Sequence, residues 1–213
     1  MKTIALIDYG SGNLHSAARA LRVASNESKK TREIRITHDP AVLQYADRIV
    51  LPGVGHFADC AANLRKHDGL IEGLEEAVLR RGVPFLGICV GQQLLATNGL
   101  EDGDTPGLNW IAGTVDRIQP GNGYRVPHMG WNALTPTRPH PVLADLGEDP
   151  HVYFTHSYAY SNAAEDHVAA RTIYGESLIA AVARDNIFAT QFHPEKSQRV
   201  GLKILSNFVL WQP

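Results

Sequence analysis

The chain reads as stretches of continuous apolar residues separated by amphipathic ones, the texture of a sheet covered on both faces by helices. Thr3 to Asp8, Arg48 to Leu51 and Val83 to Cys89 are strand-length apolar runs. Between them, Leu14, Ala17, Ala18, Leu21 and Val23 recur at helical spacing, with Asn13 suited to cap that helix. The region from His56 to Arg81 carries two further helical patterns, broken at His67-Asp68-Gly69. Asn26 to Arg32 is polar and charged and reads as a solvated loop ahead of a short strand, Glu33 to Thr37.

From Gly107 onward the pattern turns to β. Trp110 to Ile118, Val126 to Leu134, His151 to Thr155, Val168 to Ile173, Leu178 to Ala183 and Ile187 to Phe192 are the predicted strands. A last amphipathic helix is predicted over 197–210, with Val200, Ile204, Leu205 and Phe208 inward. The expected fold class is α/β: one domain over 1–213, a mostly parallel central sheet flanked by helices, and additional strands in the second half.

Composition narrows this picture only slightly. The chain has 213 residues, 44% hydrophobic, with a formal net charge of -2, so no nucleic-acid or membrane surface is advertised. Two cysteines, Cys60 and Cys89, do not make a disulfide scaffold, and no apolar run approaches membrane length. With a strand starting at the third residue, a signal peptide is not expected, and the location expected is cytoplasmic. Gly10-Ser11-Gly12 lacks the full dinucleotide-binding pattern. No cofactor and no metal site is expected.

The chemistry concentrates where the third apolar run ends, in Gly87-Ile88-Cys89-Val90-Gly91 followed by Gln92 to Thr97 in a helix-compatible pattern. Gly-x-Cys-x-Gly between strand and helix is the pattern of a nucleophile elbow with cysteine at its apex. Small residues two before and two after the nucleophile let the backbones pass closely. About a hundred residues on, the strand ending at Phe192 leads into His193-Pro194-Glu195. A cysteine nucleophile needs a base, and the base needs a group that fixes its tautomer. Two apart on extended backbone, His193 and Glu195 can point the same way. His128 is the rival base, but it has no neighbouring carboxylate.

With these residues in view, the chain resembles the class I (triad) glutamine amidotransferases. Asp8-Tyr9-Gly10-Ser11-Gly12-Asn13-Leu14, Leu51 to Phe57, Val126 to Asn132, Tyr153 to Tyr158 and His193 to Ser197 are similar to blocks of one branch of that family. The branch comprises the glutaminase subunits of imidazole glycerol phosphate synthase, and the likeness spans nearly the whole chain. The resemblance implies a Cys89-His193-Glu195 triad and an oxyanion hole at Val90 and the Gly53-Val54 segment. It also implies L-glutamine held by Gln93, Glu101 and the backbone of Ser157 and Tyr158.

It further implies a (βα)8-barrel cyclase subunit as partner in a heterodimer, met by Asn13, Trp131, Tyr153 and Lys196. Ammonia passed to that subunit would yield imidazole glycerol phosphate and aminoimidazole carboxamide ribotide in histidine biosynthesis. A Gly53-Val54 peptide that flips when the partner engages its nucleotide is the expected means of control. A glutaminase serving another biosynthetic synthase is the nearest alternative, followed by a stand-alone cysteine hydrolase and a non-catalytic docking module.

Overall fold

In a computed structural model, residues 2–213 are described. The strands in chain order are β1 (Thr3–Ile7), β2 (Glu33–Thr37), β3 (Arg48–Gly53), β4 (Phe85–Cys89), β5 (Asn98–Gly99), β6 (Thr105–Pro106) and β7 (Thr114–Arg117). They continue as β8 (His128–Ala133), β9 (Thr135–Pro136), β10 (His151–His156), β11 (Tyr158–Tyr160), β12 (Val168–Tyr174), β13 (Glu176–Arg184) and β14 (Ile187–Thr190). The helices are α1 (Leu14–Glu27), α2 (Pro40–Leu43), α3 (Phe57–Arg65), α4 (Leu70–Glu75), α5 (Val90–Gln93) and α6 (Gln198–Leu210). A π-helical turn, Glu76–Arg80, extends α4.

The main sheet runs β2-β1-β3-β4-β14-β13-β12-β9. Its first five strands are parallel and the remaining pairs antiparallel, so the α/β architecture with a mostly parallel centre is the one observed. The apolar runs explain why the centre is parallel: every residue of β1, β3 and β4 is buried. Such strands need cover on both faces. Phe85, Phe188 and Phe208 are fully enclosed, and burying a side chain of that size contributes about 1.5–3 kcal/mol.

Chain order reverses direction across the sheet between β1 and β3, because β2 lies on one side of β1 and β3 on the other. In open α/β sheets the crevice at the carboxyl ends of such strands is where ligands sit. The loops after β1 and β3 therefore lie side by side, with the end of β4 next in line. Two smaller sheets, β10-β8 and β11-β7-β5-β6, roof that end.

Several local expectations are corrected. Val23 is 37% exposed and Ala24 is buried in its stead. Arg32 belongs to no solvated loop: it is buried, and its guanidinium donates to the Val209 carbonyl at 3.2 Å. Arg48 likewise donates to the Phe208 carbonyl at 2.9 Å and to the Trp211 carbonyl. Together they satisfy carbonyls that the C-terminus of α6 leaves open. The helix after Cys89 is also shorter than its pattern suggested. It stops at Gln93, and Asn98–Gly99 becomes a strand paired to β6 and β7.

Candidate active site

Cys89 ends β4 with φ 54° and ψ -112°, a conformation L residues rarely hold. Its neighbours make the turn possible. A Cβ on Gly91 would lie 1.9 Å from the Leu51 carbonyl oxygen, and one on Gly87 would lie 2.7 Å from the Gly91 oxygen. The strand-to-helix elbow read from the sequence is thus built, although a four-residue helix offers less dipole than a long one.

His193 follows β14, which ends at Thr190 rather than Phe192. The turn is fixed by its own side chains. Thr190 donates to the Phe192 carbonyl at 2.9 Å, and Ser197 donates to the His193 carbonyl at 2.6 Å while accepting the Tyr153 N–H at 2.9 Å. Pro194–Lys196 forms one 3-10 turn, so His193 and Glu195 meet across that turn and not along an extended strand. The outcome is the expected pairing: His193 Nδ1 and Glu195 Oε1 are 2.8 Å apart, with side chains only 1% and 4% exposed. His128, the rival base, is 2% exposed and points elsewhere.

Electrostatics at His193 set a burial cost against two partners. Desolvation opposes its charged form, but Cys89 and Glu195 outweigh it, and the imidazole pKa rises to about 10. Nε2 meets no strictly aligned hydrogen-bond partner, yet Cys89 lies close enough to raise the ring's pKa both as a hydrogen-bond partner and through its charge. A cationic ring beside a cysteine favours the nucleophilic thiolate.

Gln191, which the sequence reading passed over, also reaches the nucleophile. Fully buried, it directs Nε2 to the Cys89 sulfur at 3.7 Å and accepts Gln93 Nε2 at 3.0 Å on its Oε1. Gln93 Nε2 also donates to the Tyr158 carbonyl at 2.8 Å. Both amide hydrogens of Gln93 are spent, so only its oxygen is left to face a ligand. Facing a ligand with its oxygen, Gln93 suits a donor such as a carboxamide N–H or an ammonium group and not a carboxylate.

These groups border a cavity of about 510 Å3 that includes Cys89, Val90, Gln93, Glu101, Ser157, Tyr158 and His193. The size suits a small metabolite. Glu101 has one oxygen engaged, accepting the Phe57 N–H at 2.8 Å at the start of α3. Asn13 caps α1 through its Oδ1 to Ser16 N–H at 3.3 Å and lies on the cavity rim with Lys196. The Lys196 ammonium stands 5.8 Å from the centroid of the Tyr153 ring. Tyr153 in turn meets Trp131, which is 47% exposed, edge to face across the β8-β10 pair.

Gly53 lies opposite Cys89 in the β3-β4 register, and Val54 borders the cavity. The Val54 N–H, however, donates to Ser11 Oγ at 3.2 Å instead of facing the cavity. Ser11 Oγ returns a bond to the Val54 carbonyl at 2.6 Å and sits 3.1 Å from Cys60 Sγ.

Behind the cavity, burial depresses the pKa of His128 to about 4, and burial together with the His128 charge depresses that of His156 to about 3. Among the described residues no cluster of His, Cys, Asp and Glu is disposed to hold a metal ion, and no helix is long and apolar enough to cross a membrane.

The profile of the family described as Glutamine amidotransferase class-I matches residues 5–211. A solved structure described as a glutamine amidotransferase superposes with TM-score 0.70 at 20% identity, covering 93% of this chain and 94% of its own. A glutamine amidotransferase from Thermotoga maritima superposes with TM-score 0.61 at 17% identity, covering 93% and 78%. The chain belongs to the class-I glutamine amidotransferases. Imidazole glycerol phosphate synthase subunit HisH of Caulobacter vibrioides is 50% identical over 214 residues, all of both chains. The HisH subunit of Rhodospirillum rubrum is 50% identical over 212 residues, 99% of each. At half identity over their full length, these relatives put the chain in the HisH family within that class.

Proposed function

We propose that the whole chain is one glutaminase domain, acting in the cytoplasm with a (βα)8-barrel cyclase subunit in a heterodimer. It hydrolyses L-glutamine and hands on the ammonia, which the cyclase uses to form imidazole glycerol phosphate and aminoimidazole carboxamide ribotide. The observation that carries this reading is the shared cavity. Cys89 stands there at the strained elbow, beside a His193 ring oriented by Glu195 at 2.8 Å.

The Cys89 sulfur attacks the carboxamide carbon. The oxygen becomes an anion, held by the Val90 N–H and by a donor of the Gly53-Val54 segment. His193 gives its proton to the departing nitrogen, the C–N bond breaks, and ammonia leaves a glutamyl thioester. His193 then takes a proton from water, which attacks the thioester and frees glutamate and the thiolate. Gln93, through its oxygen, and Glu101 are suited to a substrate ammonium group, and the backbone of Ser157 and Tyr158 to the α-carboxylate.

Ammonia that reaches bulk water at neutral pH gains a proton and loses its lone pair, so direct transfer matters. Asn13 and Lys196 line the cavity, Lys196 lies over Tyr153 and Tyr153 meets Trp131, and these four form the proposed partner face. The Val54 amide, bonded to Ser11, is not available to an oxyanion in this conformation. This supports a resting state of low activity that rises when the partner binds its nucleotide.

The test is glutamate release by the purified chain, alone and with a cyclase subunit and its nucleotide, beside a Cys89→Ala control. Strong stimulation abolished in the control is expected. Full activity without the partner would overturn the gating, and inactivity in every mixture would overturn the assigned partnership.

A further inference from the structure

Two buried histidines stand behind the cavity and take no part in the steps above. His128 opens β8, His156 closes β10, and the antiparallel register sets them opposite each other. His156 Nδ1 lies 3.0 Å from the Tyr158 carbonyl oxygen, and His156 Nε2 lies 3.0 Å from His128 Nδ1. His128 Nε2 lies 3.3 Å from Asn132 Nδ2.

The protons of this chain have one consistent arrangement. A carbonyl only accepts, so His156 carries its hydrogen on Nδ1 and, as a neutral ring, accepts at Nε2. His128 must then donate from Nδ1 and accept at Nε2, where Asn132 supplies the hydrogen. The Asn132 amide is oriented independently: Nδ2 also donates to the Ile173 carbonyl at 2.8 Å, and Oδ1 accepts the Ala133 N–H at 2.8 Å. A second proton on either ring would set N–H against N–H. No carboxylate acts on either ring: Phe154 and Tyr174 stack on His128, and the charge that acts on His156 from beyond the pair is the cationic one of His193.

On its other side the Tyr158 carbonyl accepts Gln93, which holds Gln191, which reaches the Cys89 sulfur. A chain of ordered hydrogen bonds therefore spans the molecule from β8 to the nucleophile. We propose that His128 and His156 form a neutral, proton-ordered strut that holds the Tyr158 carbonyl, and through it aims the Gln93 oxygen at the substrate. They are positioning residues, and the inference rests on reading the cavity as the glutamine site.

Nitrogen NMR of the full chain, labelled at histidine, reads the strut without any assay. Both rings are expected to be neutral with the proton on Nδ1 across about pH 5–8, where a free imidazole would titrate. An Nε2–H form of either ring, or titration in that range, would overturn the proposal.

His128→Phe keeps the stacked ring but removes the donor to His156, whereas His128→Asn restores a donor near Nδ1. With the cyclase subunit and nucleotide present, His128→Phe is expected to raise KM for glutamine about tenfold, the worth of one modest hydrogen bond. Its kcat should stay within about twofold, and His128→Asn should recover most of the loss. An unchanged KM, or a parallel loss of kcat that His128→Asn does not rescue, would overturn the positioning role. Inactivity of the unaltered chain would count against the glutaminase reading instead, and the tautomer spectrum would still decide the strut.

Discussion

Ser11 and Val54 grip each other from both ends of one residue: the Ser11 hydroxyl donates to the Val54 carbonyl at 2.6 Å and accepts the Val54 N–H at 3.2 Å. The contact joins the loops after β1 and β3, brought together by the reversal of strand order there. It also holds the Val54 N–H, the proposed oxyanion donor, away from the cavity. Ser11→Ala is therefore expected to raise partner-free glutaminase activity several-fold and to shrink the stimulation by the partner. One oxyanion-hole donor is worth about 3 kcal/mol in catalysis, which sets the ceiling of the effect. A steady-state assay with and without the cyclase checks this, and unchanged basal activity would sink the latch.

His193 gives folding stability a dependence on alkaline pH. Its folded pKa is raised to about 10, above the ordinary value near ~6.5. The contribution is therefore fully present below about 6.5 and is lost as pH climbs through about 10. Thermal unfolding between about pH 7 and 10.5 should show a falling melting temperature. In Glu195→Gln, where the imidazolium loses a partner and its folded pKa is lower, the fall should be smaller and end at lower pH.

The acid side has the opposite sign. His128 and His140 are depressed to about 4 and His156 to about 3, chiefly by burial. The unfolded chain binds these protons first, so stability falls as pH drops from about 6.5 toward 4. His140 stacks on Phe188, and neither lines the active cavity, so His140→Phe should soften this acid loss while leaving glutaminase activity in place. Urea titrations at about pH 7 and 5 measure the difference.

Gly91 tests the elbow itself. A Cβ there would sit 1.9 Å from the Leu51 carbonyl oxygen, against backbone that has nowhere to go. Gly91→Ala is expected to cost about 3 kcal/mol or more and to displace Cys89. Denaturant unfolding and alkylation of Cys89 read the two effects separately.

Trp131 is 47% exposed and braced by Tyr153, which Lys196 overlies. Large aromatics with apolar area left in water tend to dominate association. Trp131→Ala should weaken cyclase binding about tenfold to a hundredfold with the chain's own melting temperature unchanged. Calorimetric titration against the cyclase subunit gives the answer.

What the sequence allowed one to read follows from range. β1, β3 and β4 are legible because burial on both faces leaves an unbroken apolar run, and the elbow is legible because its glycines are local necessities. Asn13 as a cap is likewise a matter of three residues. Arg32 misled because the acceptor that draws its guanidinium inward is a carbonyl 177 positions away. Gln191 and the His128-His156 strut carry no local signature, since their partners come from other strands. The helix after Cys89 was overread for a related reason: backbone bonds from Leu108, Trp110 and Ile111 claim the Leu94 and Leu95 carbonyls that a longer helix would need.

The place of β14 has a consequence for synthesis. It lies between β4 and β13, in the middle of the sheet, yet its residues 187–190 are translated long after those of β4. At ribosomal rates of ~5–20 residues per second, the ~100 residues separating the two strands take roughly 5–20 s to emerge. Through that interval the edge of β4 that β14 will pair is open, a template for misassembly, and Cys89 has no His193 beside it. The order of the strands thus keeps Cys89 and His193 apart until synthesis has passed β14, and leaves a strand edge open to neighbouring chains until then.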